Sequence, residues 1–146
     1  MAERAERTGI VNLTRGIALA TEVYWATNPW TRLLGLMGRA DLPPGRSLIL
    51  PDQKGIHTHF MRFTIDVVFY SQDRQDGPDR FVMALTHSMA PWRFSNYHRA
   101  AAGIIELPAG TLRATGTESG DRLSLPRTRN PSAGRSRLAR IKGSTE

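Results

Sequence analysis

Apolar residues come in short runs bounded by glycine, proline and charged clusters along most of the chain, the pattern of β-strands. The first runs are Ile10–Leu13 and Gly16–Trp25. In the second, Ile17, Leu19, Thr21, Val23 and Trp25 share the face expected to be buried. Ser47–Leu50 predicts a short strand after the loop DLPPGR (41–46). Ile56–Met61 and Thr64–Ser71 carry the strongest strand patterns, and Phe81–His87 follows a turn-rich break over Gln72–Arg80 that contains Gly77-Pro78. Thr64–Ser71 and Phe81–His87 are placed to form a hairpin. Ala90–Tyr97 is irregular, Gly103–Leu107 is an apolar strand, and Arg122–Leu125 is the last strand, after the turn at Gly120-Asp121.

Only one long interval changes to helical spacing. Trp30, Leu33, Leu34 and Met37 follow the i, i+3, i+4, i+7 stripe, with Asn28 as N-cap, Pro29 at the first helical position and Gly38 at the end. A helix is therefore expected over 29–38. Arg32 and Arg39 lie on its opposite side, and Gly35 inside it costs about 1 kcal/mol against alanine, which a close backbone approach would explain. A short second helix is expected over 109–115, ended by Gly116. The fold class is mainly β, on the border of α+β.

Composition narrows this picture. The 146 residues fit one domain, and a hydrophobic share of 40% with 23% charged residues is ordinary for a globular chain rather than a disordered one. With no cysteine, disulfides, thiolate nucleophiles and cysteine zinc sites are excluded. The start, MAERAERT, has no apolar run after its charges and does not read as a secretory signal. No stretch is apolar enough for a membrane span, so a cytoplasmic location is expected. The formal charge of +7 is mostly a property of the end of the chain, where six basic residues from Arg127 onward face one acid, Glu146. The organisation read from this is a flexible lead-in over 1–9, one globular domain over 10–125 and a basic, disordered tail over 126–146.

Candidate chemistry concentrates in Ile56–Tyr70. Strand alternation would put His57, His59 and Met61 on one face, followed by Arg62 and Asp66. An aspartate buried without a partner costs several kcal/mol. Asp66 must therefore bond to an arginine (Arg62 or Arg93), cap backbone groups, or open onto a pocket. The favoured reading of Asp66 alone is structural. His57 and His59 would need Asp66 or His87 to complete a metal site, and no metal or other cofactor is assigned. Phosphate-binding P-loops and Gly-x-Ser-x-Gly elbows are absent. Glu106, in the apolar run GIIELPAG, is either a raised-pKa acid or a partnered structural group. Trp92-Arg93-Phe94 either stacks on a ligand or covers an open barrel end.

These residues carry a resemblance. RLLGLMGR (32–39), IHTHFMRFTIDVVFY (56–70), PWR (91–93), IIELPAG (104–110) and GDRL (120–123) occur in the order seen in the family called domain of unknown function 192, which the chain resembles from about Thr31 to Leu125. The resemblance implies a small antiparallel β-barrel-like domain with a helix carrying Arg32, Gly35, Leu36, Met37 and Arg39. It places His57, Met61, Arg62, Asp66, Glu106 and Gly110 in the family pattern. His59 departs from it, standing where relatives carry an aromatic or aliphatic residue, and Thr64 stands where proline is common. The family brings no established reaction.

Three functions are weighed. The first is a module binding a small polar or anionic ligand in a cleft of His57, Arg62, Asp66, Trp92 and Arg93. In this reading Arg32, Gly35, Met37, Arg39, Met61, Glu106 and Gly110 are structural. The second is a hydrolase-like enzyme with His57 as acid or base, Asp66 orienting it and Arg62 stabilising charge. The third is nucleic-acid or partner binding through the tail, 127–146. Oligomeric state is left open.

Overall fold

The structure, a computed structural model, describes residues 9–26, 41–72 and 79–127. Four expected features lie outside these residues: the lead-in before Gly9, the helix over 29–38 with Arg32, Gly35, Met37 and Arg39, the core of the break before Arg80, and the tail beyond Arg127.

Among the described residues the apolar runs become eight strands: β1 (Ile10–Asn12), β2 (Ile17–Ala20), β3 (Glu22–Trp25), β4 (Arg46–Pro51), β5 (Ile65–Gln72), β6 (Asp79–Met89), β7 (Gly103–Pro108) and β8 (Arg122–Ser124). One short helix, α1 (Thr111–Thr115), follows β7 and ends on Gly116 at φ 68°, a left-handed position that favours glycine. All the strands join one sheet in the order β2-β1-β8-β6-β5-β7-β4-β3. The pairings are antiparallel except β3 with β4. The chain is thus mainly β, and β5 and β6 pair as the expected hairpin.

Two expectations change. The run Gly16–Trp25 is not one strand but two, separated at Thr21, and the two halves are the opposite ends of the sheet. The amides of Thr21 and Glu22 both donate to the Gly45 carbonyl, at 2.8 and 2.9 Å. One residue therefore links the two edges, and the sheet must curl until they meet. This gives the fold its barrel-like character without a closing ladder. The second change is at Ile56–Met61, which is no strand. It holds a single bridge, His57 with Phe94, and breaks at Phe60, whose φ is 66°.

Curling creates an inner face. One cluster draws buried side chains from every strand, among them Ile10, Leu19, Val23, Ile49, Val68, Val82, Ile105 and Leu123, with Leu112 of α1. The outer face of the central strands is buried as well. Leu48, Ile65, Val67, Phe69 and Ile104 pack there with Leu42, Met61, Met89 and Ala101. Burial on both faces is why Ile65–Tyr70 is solvent-inaccessible throughout and shows no alternation. At Gly103 a Cβ would come 2.2 Å from the Tyr70 hydroxyl, so only glycine admits the ring that lies across it. Desolvation there pushes the Tyr70 phenol up to about 12.

Candidate functional site

Two irregular segments, 52–61 and 90–98, run side by side over one part of the sheet. Thr58 fastens them. Its side chain is fully buried, and its hydroxyl donates to the Ala90 carbonyl at 2.6 Å and accepts from the Arg93 amide at 2.9 Å. Its own amide donates to the Arg93 carbonyl at 2.8 Å, and its carbonyl accepts from the amides of Trp92 and Met61. Further along, the Ser95 amide donates to the Ile56 carbonyl, and the Ile56 amide donates to Ser95 Oγ. His98 donates its amide to the Lys54 carbonyl, and Lys54 Nζ donates to the Ala101 carbonyl. Strand alternation sets Thr58 with Ile56 and Phe60, opposite His57 and His59. What it missed is that a buried threonine must find partners for its hydroxyl, and here they lie on the second segment. Replacing Thr58 by valine keeps the shape and removes those bonds. We expect a loss of about 1–3 kcal/mol in urea unfolding and faster amide exchange at Arg93, both restored by serine.

The fastened segments hold a row of rings at the surface. Phe60 lies 4.8 Å from Trp92, Trp92 lies 5.4 Å from His59, His59 lies 4.7 Å from Phe94, and His57 lies 5.0 Å from His59, all between ring centroids. Phe94 and Tyr97 remain 77% and 70% exposed. Beside this row opens a groove of about 540 Å³, lined among others by Asp52, Lys54, His57, Phe94, Ser95 and Tyr97.

Of the residues singled out from sequence, His57, Trp92 and Arg93 belong to this assembly. Arg62 is exposed, two residues after Phe60, and does not line the groove. The pair His57 and His59 has no third His, Asp or Glu converging on it among the described residues. Asp66 is elsewhere. It points to the inner side of β5 with no solvent exposure, and both its oxygens are occupied by backbone amides. Oδ1 accepts from Ser88 at 2.8 Å and Oδ2 from Leu112 at 2.9 Å. The first bond satisfies an amide released by a bulge, since the β5–β6 register slips between Ile65 and Val67. The second caps α1, whose N-cap Gly110, at φ 91°, has no side chain to do so. Neither Arg62 nor Arg93 is Asp66's partner, and Asp66 does not orient His57.

The remaining family-pattern residues are internal. Met61 is buried in the outer core. Glu106 lies on β7 between Leu48 and Val67, 6% exposed, with no hydrogen-bond partner for Oε2 among the described residues. Burial raises its carboxyl to about 7.

Comparison with known proteins agrees with this arrangement in fold. The model of family DUF192, described as "Uncharacterized ACR", matches residues 10–125. A UPF0127 protein of Pyrococcus furiosus is 38% identical over 120 residues, covering 78% of this chain and 95% of the relative. One from Thermococcus sibiricus is 30% identical over 118 residues, covering 78% and 72%. Among solved structures, a protein of unknown function from Novosphingobium aromaticivorans superposes with a TM-score of 0.67 at 19% identity, covering 80% of this chain and 84% of that one. A candidate transcription regulator from Sinorhizobium meliloti gives 0.63 at 23% identity, covering 82% and 92%. The chain belongs to the DUF192/UPF0127 family.

Proposed function

We propose that the protein binds a small polar or anionic ligand, and that the ligand sits in the groove walled by Lys54, His57, Phe94, Ser95 and Tyr97. One observation carries this reading. Two large rings, Phe94 and Tyr97, stand bare at the mouth of the groove although backbone bonds hold their segment in place. Rigid exposed rings beside polar groups are what a ring-bearing ligand stacks on. The volume of about 540 Å³ suits a ligand of metabolite size. Lys54 and Asp52 are the charged groups lining the groove, so a carboxylate or phosphate on the ligand meets Lys54 and a hydroxyl meets Asp52. Asp66 takes no part, because its oxygens are already committed, and the proposal contains no His57–Asp66 dyad.

A thermal-shift titration against carboxylates, sugar phosphates and neutral sugars tests the reading. At about a hundredfold excess over Kd a true ligand adds roughly 2.7 kcal/mol, a shift of several degrees. Phe94→Ala with Tyr97→Ala should abolish that shift while leaving the unliganded Tm in place. A panel in which no member stabilises the protein sinks the proposal.

A further inference from the structure

We propose that the ridge formed by Phe60, Trp92 and Phe94, flanked by Arg62 and Arg93, docks on an anionic lipid bilayer. The inference shares its two segments and Phe94 with the groove but rests chiefly on Phe60 and Trp92, which do not line it.

The first support is exposure. Phe60, Trp92 and Phe94 are 60%, 54% and 77% exposed, and Phe60 and Trp92 touch each other and continue into one row of rings. A contiguous apolar surface of this kind marks an interaction site rather than chance exposure. Phe60 and Trp92 both sit at positive φ, 66° and 61°. A bulky residue adopts that conformation only where the surroundings impose it, and here the network around Thr58 does so.

The second support is charge. The two segments that carry the ridge, 53–62 and 90–99, contain no aspartate or glutamate and hold Lys54, Arg62, Arg93, Arg99, His57, His59 and His98, with Asp52 at the far side of the groove. The face therefore calls for a negative partner. Self-association would set Arg62 and Arg93 of one copy against those of the other. Single-stranded nucleic acid would need open ring faces for successive bases. The rings here lean against one another at 57–77° with centroids 4.7–5.4 Å apart, which leaves no slot between them. Phenylalanine tips with no polar handle, a tryptophan and adjacent arginines match the boundary between headgroups and acyl chains.

The test is co-sedimentation of the full chain with vesicles of phosphatidylcholine alone and of phosphatidylcholine with phosphatidylglycerol, at low and high salt. We expect binding to the anionic vesicles only, weakened by salt. Phe60→Ser with Trp92→Ser should reduce it about tenfold or more. Arg62→Ala and Arg93→Ala should each reduce it about fivefold, the weight of one cation at an anionic surface. Circular dichroism must show each variant folded, and the groove titration must be unchanged in the Phe60/Trp92 pair, which separates this proposal from the ligand reading. No binding by the unsubstituted chain overturns the inference. So does undiminished binding by both sets of variants, which would assign it to the basic C-terminal residues. Displacement from vesicles by an oligonucleotide that makes the same contacts, or dimerisation through this face, overturns it as well.

Discussion

Replacing Asp66 by alanine is expected to lower the folding free energy by about 3–5 kcal/mol, a large part of what a domain of this size holds in reserve. The substitution strands two amides at once. Ser88 N–H loses the acceptor that compensates for the bulge in β6, and Leu112 N–H loses its side-chain cap at the start of α1. Hydrogen bonds to a carboxylate are worth about 1.5–3 kcal/mol each, and while Ser88 is exposed, Leu112 N–H is left in the core where water enters poorly. Asparagine should recover less than half of the loss, since it keeps one acceptor but sets its own N–H against one of the amides. Urea unfolding of the three proteins checks the ranking. An alanine variant within about 1 kcal/mol of the parent would mean that the two amides find other partners.

Glu106 predicts a stability that falls as pH rises, the reverse of the usual behaviour of a paired carboxylate. Its folded-state pKa, raised to about 7 by burial, lies above the ordinary value of 4.5. Between those values the unfolded chain has already released the proton and the folded chain has not. The folded state therefore binds more protons, and the unfolding free energy declines across that interval before levelling above pH 7. The full shift corresponds to about 3 kcal/mol. Glu106→Gln should flatten the profile and make the protein more stable than the parent at pH 8, with little difference at pH 4.5. Asp121 titrates in another window. Burial opposes its ionisation, but bonds from Asn12, the Glu118 amide and Arg15 outweigh that and hold its carboxyl below the ordinary range. It contributes stability that is present above its unfolded pKa and lost as pH falls through its lowered folded pKa. Unfolding curves from pH 2 to 9 for both proteins separate the two effects. A parent profile flat between pH 5 and 7 would contradict the burial of an ionisable Glu106.

What could be read from the chain follows from how local each cause is. Strands β4 to β8 and α1 were legible because their apolar runs and bounding glycines are local signals. The split at Thr21 was not, since it depends on the Gly45 carbonyl, which reaches both amides only after the sheet has curled. Ile56–Met61 read as a strand because its residues alternate plausibly, while the buried Thr58 hydroxyl and its partners around Ala90–Arg93 lie over thirty positions away. For Asp66 the chain showed that a partner was required but not which one. Arginines were the visible choices, whereas a bulge and an uncapped helix supplied the donors. His57 and Trp92-Arg93 were both singled out from sequence. That they meet through His59 and Phe94 became visible only in three dimensions, and Phe60 and Tyr97 drew no notice because an isolated aromatic beside a strand looks like core.

The division of labour argued here is that Asp66 and Glu106 serve the fold while the groove beside His57 and Phe94 serves recognition. Backbone amide NMR of the folded protein, titrated with whichever carboxylate or phosphate gives the largest thermal shift, tests that division most directly. We expect saturable shifts clustered at Lys54–His57 and Phe94–Tyr97, with Asp66, Ser88 and Leu112 unmoved. Shifts centred on Asp66 and its two amide partners, with the groove silent, would contradict it.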